Sequence, residues 1–411
     1  MRTLLILTAL LLPVISLQAA DWPQWRGANR DDVSAETGLL QKWPSKGPKQ
    51  LWVFDDAGMG YSGYSVVAGT VYTMGARDAE EFVIAVDAAT GKEKWSTSVG
   101  ALLLNGWGDG PRATPTVDGD RVYAMSGKGN LVCLSAADGK KLWNVEMTKD
   151  LGGKIQSWGY TESPLVDGDL VFCTPGGSEG TMAGLDKMSG KVKWRSKKWT
   201  DEAQYASAIA VDLNGVRQVI QLTKQHVGAV NAADGSVLWL EEFPGQTAVI
   251  PTPIFNEGQV FVAAGYKVGC KSIKIGPGNE VEELYSNTDM VNHHGGVILL
   301  DGNLYGYSDN GGWTCMDMKT GEVKWQEKKA LGKGAIHYAD GKFYLLEEKT
   351  GTVVLIDASP TGWNEQGRFV LEPQSAERNP KGKVWTHPVV ANGRLYLRDQ
   401  QYLHCYDVTG K

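Results

Sequence analysis

The chain has 411 residues and combines 51 Gly with 15 Trp, a composition typical of many short strands joined by tight turns. Its net charge is −6 at pH 7. Such a weak acidic excess, without runs of like charge, excludes the basic footprint that nucleic-acid-binding proteins carry.

Residues 1–20 have the pattern of a secretory signal peptide. Arg2 is followed by an apolar stretch at residues 4–17 and by Ala19-Ala20, and this stretch is too short to span a bilayer. No Cys lies near the expected cleavage point, so a lipoprotein anchor is not predicted. We expect a periplasmic or secreted protein without a transmembrane anchor in the mature chain, and we expect it to be a monomer.

Residues 21–49 form an N-terminal segment before the first regular strand. It begins Asp21-Trp22-Pro23-Gln24-Trp25-Arg26-Gly27. Two Trp beside Pro and Gly predict a segment that packs on a surface of the fold rather than a free tail.

One short phrase recurs along the rest of the chain. Residues 86–95 read Val-Asp-Ala-Ala-Thr-Gly-Lys-Glu-Lys-Trp, and the closing aromatic returns as Trp143, Trp194, Trp239, Tyr285, Trp325 and Phe369. Successive separations are 48, 51, 45, 46, 40 and 44 residues. A period of this size predicts a propeller or a solenoid.

Each repeat also contains a two-residue hairpin signal between its first two strands. The eight dipeptides are Ala68-Gly69, Asp118-Gly119, Asp167-Gly168, Asn214-Gly215, Glu257-Gly258, Asp301-Gly302, Asp340-Gly341 and Asn392-Gly393. We interpret the Asp residues among them as turn residues rather than calcium ligands. The pattern predicts one all-β domain at residues 50–411, a single eight-bladed β-propeller of four-stranded antiparallel blades.

The last repeat is incomplete at its C-terminal end. Its phrase begins at Asp407 and lacks the final strand and aromatic, which residues 49–52, Lys-Gln-Leu-Trp, can supply. We therefore predict that the N-terminal strand completes the eighth blade and closes the ring, which removes open sheet edges.

The five Cys stand at wide spacings, and three occupy the same position of different repeats. We interpret them as buried small apolar residues on strands. No C-x-x-C or C-x-x-C-H motif occurs, so neither a zinc ribbon nor covalent haem is expected.

The phrases at residues 87–95, 186–194 and 317–325 resemble the tryptophan-docking motif of quinoprotein dehydrogenases and related propellers. Within that superfamily the chain is similar to secreted bacterial PQQ-binding-like repeat proteins, whose start resembles residues 22–27. Residues 158–164 and 292–296 also fit that group. The resemblance extends to the outer-membrane assembly lipoprotein, a non-enzymatic scaffold. It implies PQQ and calcium as possible cofactors, although no two Cys are adjacent as in the disulfide of the dehydrogenases.

Candidate site residues lie in the loops that lead into the innermost strands, because those loops line one mouth of a propeller channel. They are Tyr64, Trp107, Arg112, Trp158, Glu162, His294 and His387. Aromatic walls with a few polar groups suit a flat or sugar-like ligand. If a quinone binds there, Arg112 would hold its carboxylates, Glu162 would be the first candidate for a calcium ligand, and Trp107 or Trp158 would stack on the ring.

Each of these residues also has a structural interpretation. Trp107 and Trp158 could cap the core, and Glu162 could pair with Arg112. The adjacent His293 and His294 point opposite ways on a strand, which disfavours joint binding of one metal. His387 shares a strand face with Trp385, and that face could be plain packing.

Two functional hypotheses remain. The first, which we favour, is a non-enzymatic binding or scaffold propeller that uses its aromatic rim for a protein or glycan partner. The second is a PQQ- and calcium-dependent quinoprotein dehydrogenase that oxidises an alcohol or a sugar. Whether the protein is an enzyme stays open at this point, since function depends on the site and not on the fold.

Overall fold

The structure is a computed structural model that describes residues 21–410. Within that range the chain forms strands and turns without a helix, arranged as eight sheets. The sheets are the four-stranded antiparallel blades of an eight-bladed β-propeller, as predicted. One of them gains a short fifth strand, which pairs in parallel with its innermost strand. The predicted signal peptide, residues 1–20, lies outside the described residues.

The strands follow in chain order. Before the first blade come β1 (Val33–Ser34) and β2 (Lys49–Phe54). Blade 1 has β3 (Ser65–Val67), β4 (Thr70–Arg77), β5 (Glu80–Asp87) and β6 (Glu93–Ala101). Blade 2 has β7 (Thr116–Asp118), β8 (Arg121–Met125), β9 (Asn130–Ser135) and β10 (Lys141–Glu146). Blade 3 has β11 (Leu165–Asp167), β12 (Leu170–Cys173), β13 (Ala183–Asp186) and β14 (Val192–Arg195). Blade 4 has β15 (Ile209–Leu213), β16 (Val216–Leu222), β17 (His226–Asn231) and β18 (Val237–Glu242).

The second half of the ring repeats the arrangement. Blade 5 has β19 (Ile254–Asn256), β20 (Gln259–Ala264), β21 (Gly269–Ile275) and β22 (Val281–Asn287). Blade 6 has β23 (Val297–Leu300), β24 (Asn303–Ser308), β25 (Gly312–Asp317) and β26 (Val323–Glu327). Blade 7 has β27 (Gly334–Ala339), β28 (Lys342–Glu347), β29 (Thr352–Asp357) and β30 (Glu365–Val370). Blade 8 has β31 (Val389–Ala391), β32 (Arg394–Asp399), β33 (Tyr402–Asp407) and β2.

The hairpins between the first two strands of a blade follow the predicted turn chemistry, with two exceptions. In six blades both turn residues have positive φ, as at Asn392 (56°) and Gly393 (68°), which is the type I′ pattern. In blades 2 and 3 the turn is shifted by one residue. Asp118 and Asp167 end their strands by pairing, and the loops are residues 119–120 and 168–169.

The closing aromatic of a repeat fastens one blade to the next. The Trp95 indole Nε1 donates to the Ala136 carbonyl oxygen of blade 2 at 3.1 Å, and a Cβ placed on Gly139 would lie 2.5 Å from the Trp95 ring. Glycine is therefore required where the ring packs on the neighbouring turn. The same contact recurs at Trp143, Trp194 and Trp325, and Tyr285 uses its hydroxyl in the same way.

The N-terminal strand closes the ring, which confirms that prediction. Strand β2 pairs antiparallel with β33, with Lys49 opposite Asp407 and Phe54 opposite Leu403. The hydrophobic core lies between neighbouring blades, where the faces of two sheets interdigitate. The five Cys are buried and unpaired, as the interpretation of small apolar residues requires.

The segment before β2 requires a correction, because its first part fills the centre of the ring. Residues 22–34 contact the inner strand, or the residues leading into it, of every blade, and so few residues can reach eight blades only at the axis. The partners in blade order are Val66, Val117, Pro164, Ala208, Thr252, Val297, His337 and Val390. We call residues 22–34 the plug. From there the chain leaves the axis, and Trp43 donates from its amide to Gln366 of blade 7.

The plug is held in a strained backbone conformation. Arg26, Arg30 and Asp32 have φ of 61°, 58° and 65°, in the left-handed region that non-glycine residues rarely adopt. All three are buried. The strain is offset by the hydrogen bonds that these side chains make with the inner strands.

Candidate functional site

The loops that enter the innermost strands come together at one mouth of the channel, as expected. They enclose a cavity of about 350 Å³, at the lower end of the range for small-molecule sites. Seven aromatic side chains line it: Trp25, Tyr61, Trp107, Trp158, Tyr205, Tyr266 and Trp385. The polar lining consists of Arg112, three histidines and four hydroxyl side chains, Thr161, Ser163, Ser207 and Thr386. No Asp or Glu is among the described residues that line it.

Trp25 of the plug contributes to the cavity wall. Its indole Nε1 donates to Thr252 Oγ1 at 2.9 Å, and its ring meets the edge of His387 with 4.7 Å between centroids. The plug therefore fills the channel and also contributes one wall of the site.

Arg112 faces the cavity as a cation without a carboxylate partner among the described residues. Its Nη1 and Nη2 donate to the carbonyl oxygens of Gly110 (2.6 Å) and Gly108 (2.7 Å), and its Cζ lies 5.3 Å from the centre of the Tyr61 ring. Burial lowers the pKa of Arg112 from its ordinary value.

Glu162 does not reach the cavity. It is 2% exposed, and its carboxylate accepts hydrogen bonds from the Thr174 amide (2.7 Å), the Thr174 hydroxyl (2.9 Å) and Gln221 Nε2 (3.2 Å). The interpretation as an ion pair with Arg112 is therefore wrong. Burial raises the pKa of Glu162 to about 7, against the hydrogen bonds from Thr174, which lower it.

Tyr64 lies below the cavity rather than in its wall. It is 1% exposed, borders a void of about 10 Å³ beside the plug, and packs near Tyr396. Burial raises the pKa of its hydroxyl well above the ordinary value. Tyr64 therefore lies in the hydrophobic core and outside the wall of the cavity.

His293 and His294 both border the cavity. Three of their ring nitrogens already contact protein groups, and the fourth is buried. Lys333 Nζ donates to His293 Nδ1 at 2.9 Å, and His293 Nε2 faces the Tyr266 hydroxyl at 3.0 Å. His294 Nε2 lies 2.5 Å from Glu348 Oε2, and its Nδ1 is buried and has no hydrogen-bond partner in the described part of the chain. Burial lowers the pKa of His293 to about 2, which keeps that ring neutral.

His387 joins the cavity to the plug. Its Nε2 contacts the His294 carbonyl oxygen at 2.8 Å, and its Nδ1 lies 3.3 Å from Asp32 Oδ2. Asp32 also contacts His337 Nδ1 at 2.9 Å. The ring of His387 is thus held from both sides. Among the described residues no group of three or more His, Cys, Asp or Glu side chains could hold a metal ion.

Trp107 and Trp158 line the cavity at the mouth. Trp107 is 47% exposed at the rim, with Lys381 Nζ 5.7 Å from its ring centre. Trp158 meets Tyr205 edge-on at 5.7 Å. Neither indole N–H has a hydrogen-bond acceptor within residues 21–410. Capping of the core does not describe the half-exposed Trp107.

The predicted candidates leave out several residues of the site, among them two aromatic residues of the cavity wall and one carboxylate behind it. Trp25 lies in the segment predicted on a surface, and Tyr266 lies in the hairpin between β20 and β21, where Tyr266 and Lys267 both have positive φ. Glu348 receives hydrogen bonds from His294 and from Trp385 Nε1 (3.0 Å). Trp385 lies two residues before the predicted candidate His387.

No helix within residues 21–410 is long and apolar enough to cross a membrane.

Comparison with known proteins identifies related sequences and folds. The family model described as outer membrane protein assembly factor BamB matches residues 50–327. BamB from Yersinia pestis is 24% identical over 334 residues, which cover 75% of this chain and 77% of that protein.

Solved structures show the same fold at lower identity. BamB from Moraxella catarrhalis superposes with a TM-score of 0.62 at 17% identity, covering 87% of this chain and 97% of that one. Quinohemoprotein alcohol dehydrogenase from Comamonas testosteroni gives 0.66 at 12% identity, covering 95% and 81%. The match of the family model to most of the ring, together with the eight-bladed architecture, shows that the chain belongs to the BamB-type family of PQQ-like β-propellers.

Proposed function

We propose that the protein is a non-enzymatic binding propeller that holds a ring-shaped group of a protein or glycan partner in the aromatic cavity at the channel mouth. The observation that carries this proposal is the cavity itself, in which seven aromatic rings surround about 350 Å³. Aromatic side chains provide large, rigid contact surfaces for flat groups. Relatives named outer membrane protein assembly factors favour a partner that is a macromolecule.

A calcium-bound quinone at the predicted position does not fit the residues present. Both oxygens of Glu162 already accept hydrogen bonds from Thr174 and Gln221, and the side chain lies behind the cavity wall. Calcium requires six to eight oxygen ligands, usually including carboxylates, whereas no carboxylate of the described residues lines the cavity. We therefore derive no oxidation step for this site.

Binding through the cavity can be tested with arrays of immobilised glycans and peptides. We expect ligands of the wild-type protein to bind at least tenfold more weakly to the variants Trp158→Ala and Trp385→Ala. The matched control is Met188→Ala, at an exposed position on the outside of blade 3, which should leave binding unchanged. Unaltered binding by both cavity variants, with melting temperatures near wild type, would overturn the proposal.

We also propose secretion to the periplasm or beyond, with cleavage after Ala19 or Ala20. The docked structure begins immediately afterwards, since the Trp22 amide donates to Val66 at 2.7 Å. Mass spectrometry of the mature protein should show an N-terminus at Ala20 or Asp21. Retention of residues 1–19 in the mature protein would contradict this.

A further inference from the structure

Among the hydrogen-bonding groups of the cavity that have no partner within the described residues, donors predominate over acceptors. The guanidinium of Arg112 has five N–H bonds, and its recorded acceptors are the two carbonyl oxygens of Gly108 and Gly110. Three N–H bonds therefore have no acceptor within the described residues. The indole N–H of Trp158 at the same wall is also open. A ligand that matches these groups must bring acceptors.

The positive charge of Arg112 likewise has no carboxylate next to it among the described residues. Glu81 and Asp109 act on Arg112 only at longer range, and each is committed elsewhere. Glu81 accepts from the amides of Leu103 and Gly127, and Asp109 accepts from the Asn105 amide. A partly buried cation without an adjacent counter-ion favours an anion that can approach it directly.

Below the aromatic walls the cavity also presents hydroxyl groups. Ser163 Oγ accepts from the Thr114 amide at 2.9 Å, and Ser207 Oγ accepts from the Ser163 amide at 3.0 Å. Neither hydroxyl hydrogen has an acceptor among the described residues. These two groups can exchange hydrogen bonds with hydroxyls of a ligand, whereas a wholly aromatic ligand would leave them unmatched.

We propose that the cavity binds a cyclic sugar acid, with its carboxylate at Arg112, its ring stacked on the aromatic walls and its hydroxyl groups at Ser163 and Ser207. This inference rests on the proposed binding function and specifies the ligand class of the same cavity. The volume accommodates a ring or two, so the ligand is a free sugar acid or the end of an acidic glycan.

Calorimetric titration of the purified protein with four probes tests the assignment. The probes are D-galacturonate, its neutral counterpart D-galactose, benzoate as an aromatic acid, and tri-galacturonate as a glycan end. We expect galacturonate to bind at least tenfold more tightly than galactose and benzoate, and its affinity should fall with salt while that of galactose does not. Tighter binding of tri-galacturonate than of galacturonate would identify a glycan as the source, and equal binding would identify the free acid.

Variants separate the contributions. Arg112→Gln should weaken galacturonate binding at least tenfold and leave galactose unchanged, and Ser207→Ala should weaken both sugars about threefold. Arg368→Gln, at an exposed arginine of blade 7, is the matched control. If Arg112→Gln does not fold, the salt dependence of the wild-type protein still decides the role of charge.

Three results would overturn the sugar-acid assignment: galactose binding as tightly as galacturonate, benzoate binding as tightly, or no probe binding at all. None of these results alone overturns the proposed function. That proposal fails only if the ligands found on the arrays bind to Trp158→Ala and Trp385→Ala as tightly as to the wild-type protein.

Discussion

Trp52 at the N-terminal end of the ring donates its indole N–H to the Ala88 carbonyl oxygen of blade 1 at 3.0 Å. Strand β2, which carries Trp52, belongs to blade 8, so this contact joins the last blade to the first. A Cβ on Gly91 would lie 2.7 Å from the Trp52 ring. The closure of the ring therefore depends on a strand pairing and on an aromatic contact together.

Replacing Trp52 with Ala should weaken this closure. We expect the free energy of unfolding to fall by about 3 kcal/mol, because a packed indole is lost and a cavity remains. Leu51→Ala is the control, since the neighbouring side chain is exposed and should change stability by less than about 1 kcal/mol. Chemical denaturation followed by tryptophan fluorescence and circular dichroism measures both, and equal effects of the two variants would contradict the role of Trp52.

Two glycines with nearly the same backbone conformation allow the stability cost of backbone strain to be measured separately from the cost of a packing overlap. Gly91 (φ 71°) lies against the Trp52 ring, whereas Gly69 (φ 73°) has open space around it. Gly69→Ala should cost about 1–2 kcal/mol from the left-handed conformation alone. Gly91→Ala should cost about 1–3 kcal/mol more, because the methyl group overlaps the ring. Thermal unfolding of both variants tests this. An equal loss of stability in the two variants would show that the Trp52 ring accommodates the added methyl group at no cost in free energy.

The hydrogen bonds that Arg30 makes from the plug predict a large loss of stability when this residue is replaced. Its guanidinium donates to the carbonyl oxygens of Ser163, Pro164 and Ala208, and the pKa of Arg30, lowered by burial to about 9, leaves it charged at neutral pH. Arg30→Met retains apolar bulk but leaves these acceptors unpaired, so we expect a loss of about 3 kcal/mol.

The control for Arg30 is Arg368→Met on the exposed side of blade 7, which should be nearly neutral. Amide hydrogen exchange adds a readout specific to the plug, because Arg30→Met should increase exchange at Trp22 and Val117. Unchanged exchange at these amides would indicate that the plug does not depend on Arg30.

Glu162 predicts how stability changes with pH. Burial raises its folded pKa to about 7, above the value of about 4.3 in unfolded chains. Between these values the folded state retains a proton that the unfolded state has released, so this residue contributes stability at low pH that is lost as the pH rises to about 7 and beyond. The loss is roughly 4 kcal/mol at most.

The variant Glu162→Gln removes this titration. Its free energy of unfolding should change less than that of the wild-type protein between pH 4.5 and 8, whereas the exposed control Glu322→Gln should follow the wild-type curve. Parallel pH curves for Glu162→Gln and the wild-type protein would show that Glu162 titrates as an ordinary carboxyl.

The repeat pattern carries most of the fold. The spacing from Trp95 to Phe369 predicts the blades, and the missing aromatic after Asp407 predicts closure by residues 49–52. Both follow from local patterns that recur. The shifted turns in blades 2 and 3 could not be predicted in this way, because the order Asp-Gly-Asp permits two hairpin registers. In the register that forms, Asp118 pairs with Lys187 and Asp167 pairs with Arg217.

The site is less accessible to sequence reasoning. Entry into an innermost strand correctly predicts that Trp107, Arg112 and Trp158 lie at one mouth. The same rule fails for Glu162, because partners on other strands, Thr174 and Gln221, draw its carboxylate away from the channel. Position along a loop does not reveal which way a side chain points.

The plug could not be predicted, because its course depends on the left-handed conformations of Arg26, Arg30 and Asp32. These conformations are favourable only when the carbonyl groups of several blades are already in place.

The plug also sets an order on the assembly of the molecule. Residues 22–34 lie near the start of the chain, yet their partners extend to Val390, and the next strand pairs with residues 403–407. These contacts cannot form until residues 390–407 have been synthesised. Residues 22–34, although synthesised much earlier, are therefore among the last to reach their native position, and the wall of the cavity that holds Trp25 is completed only in a closed ring.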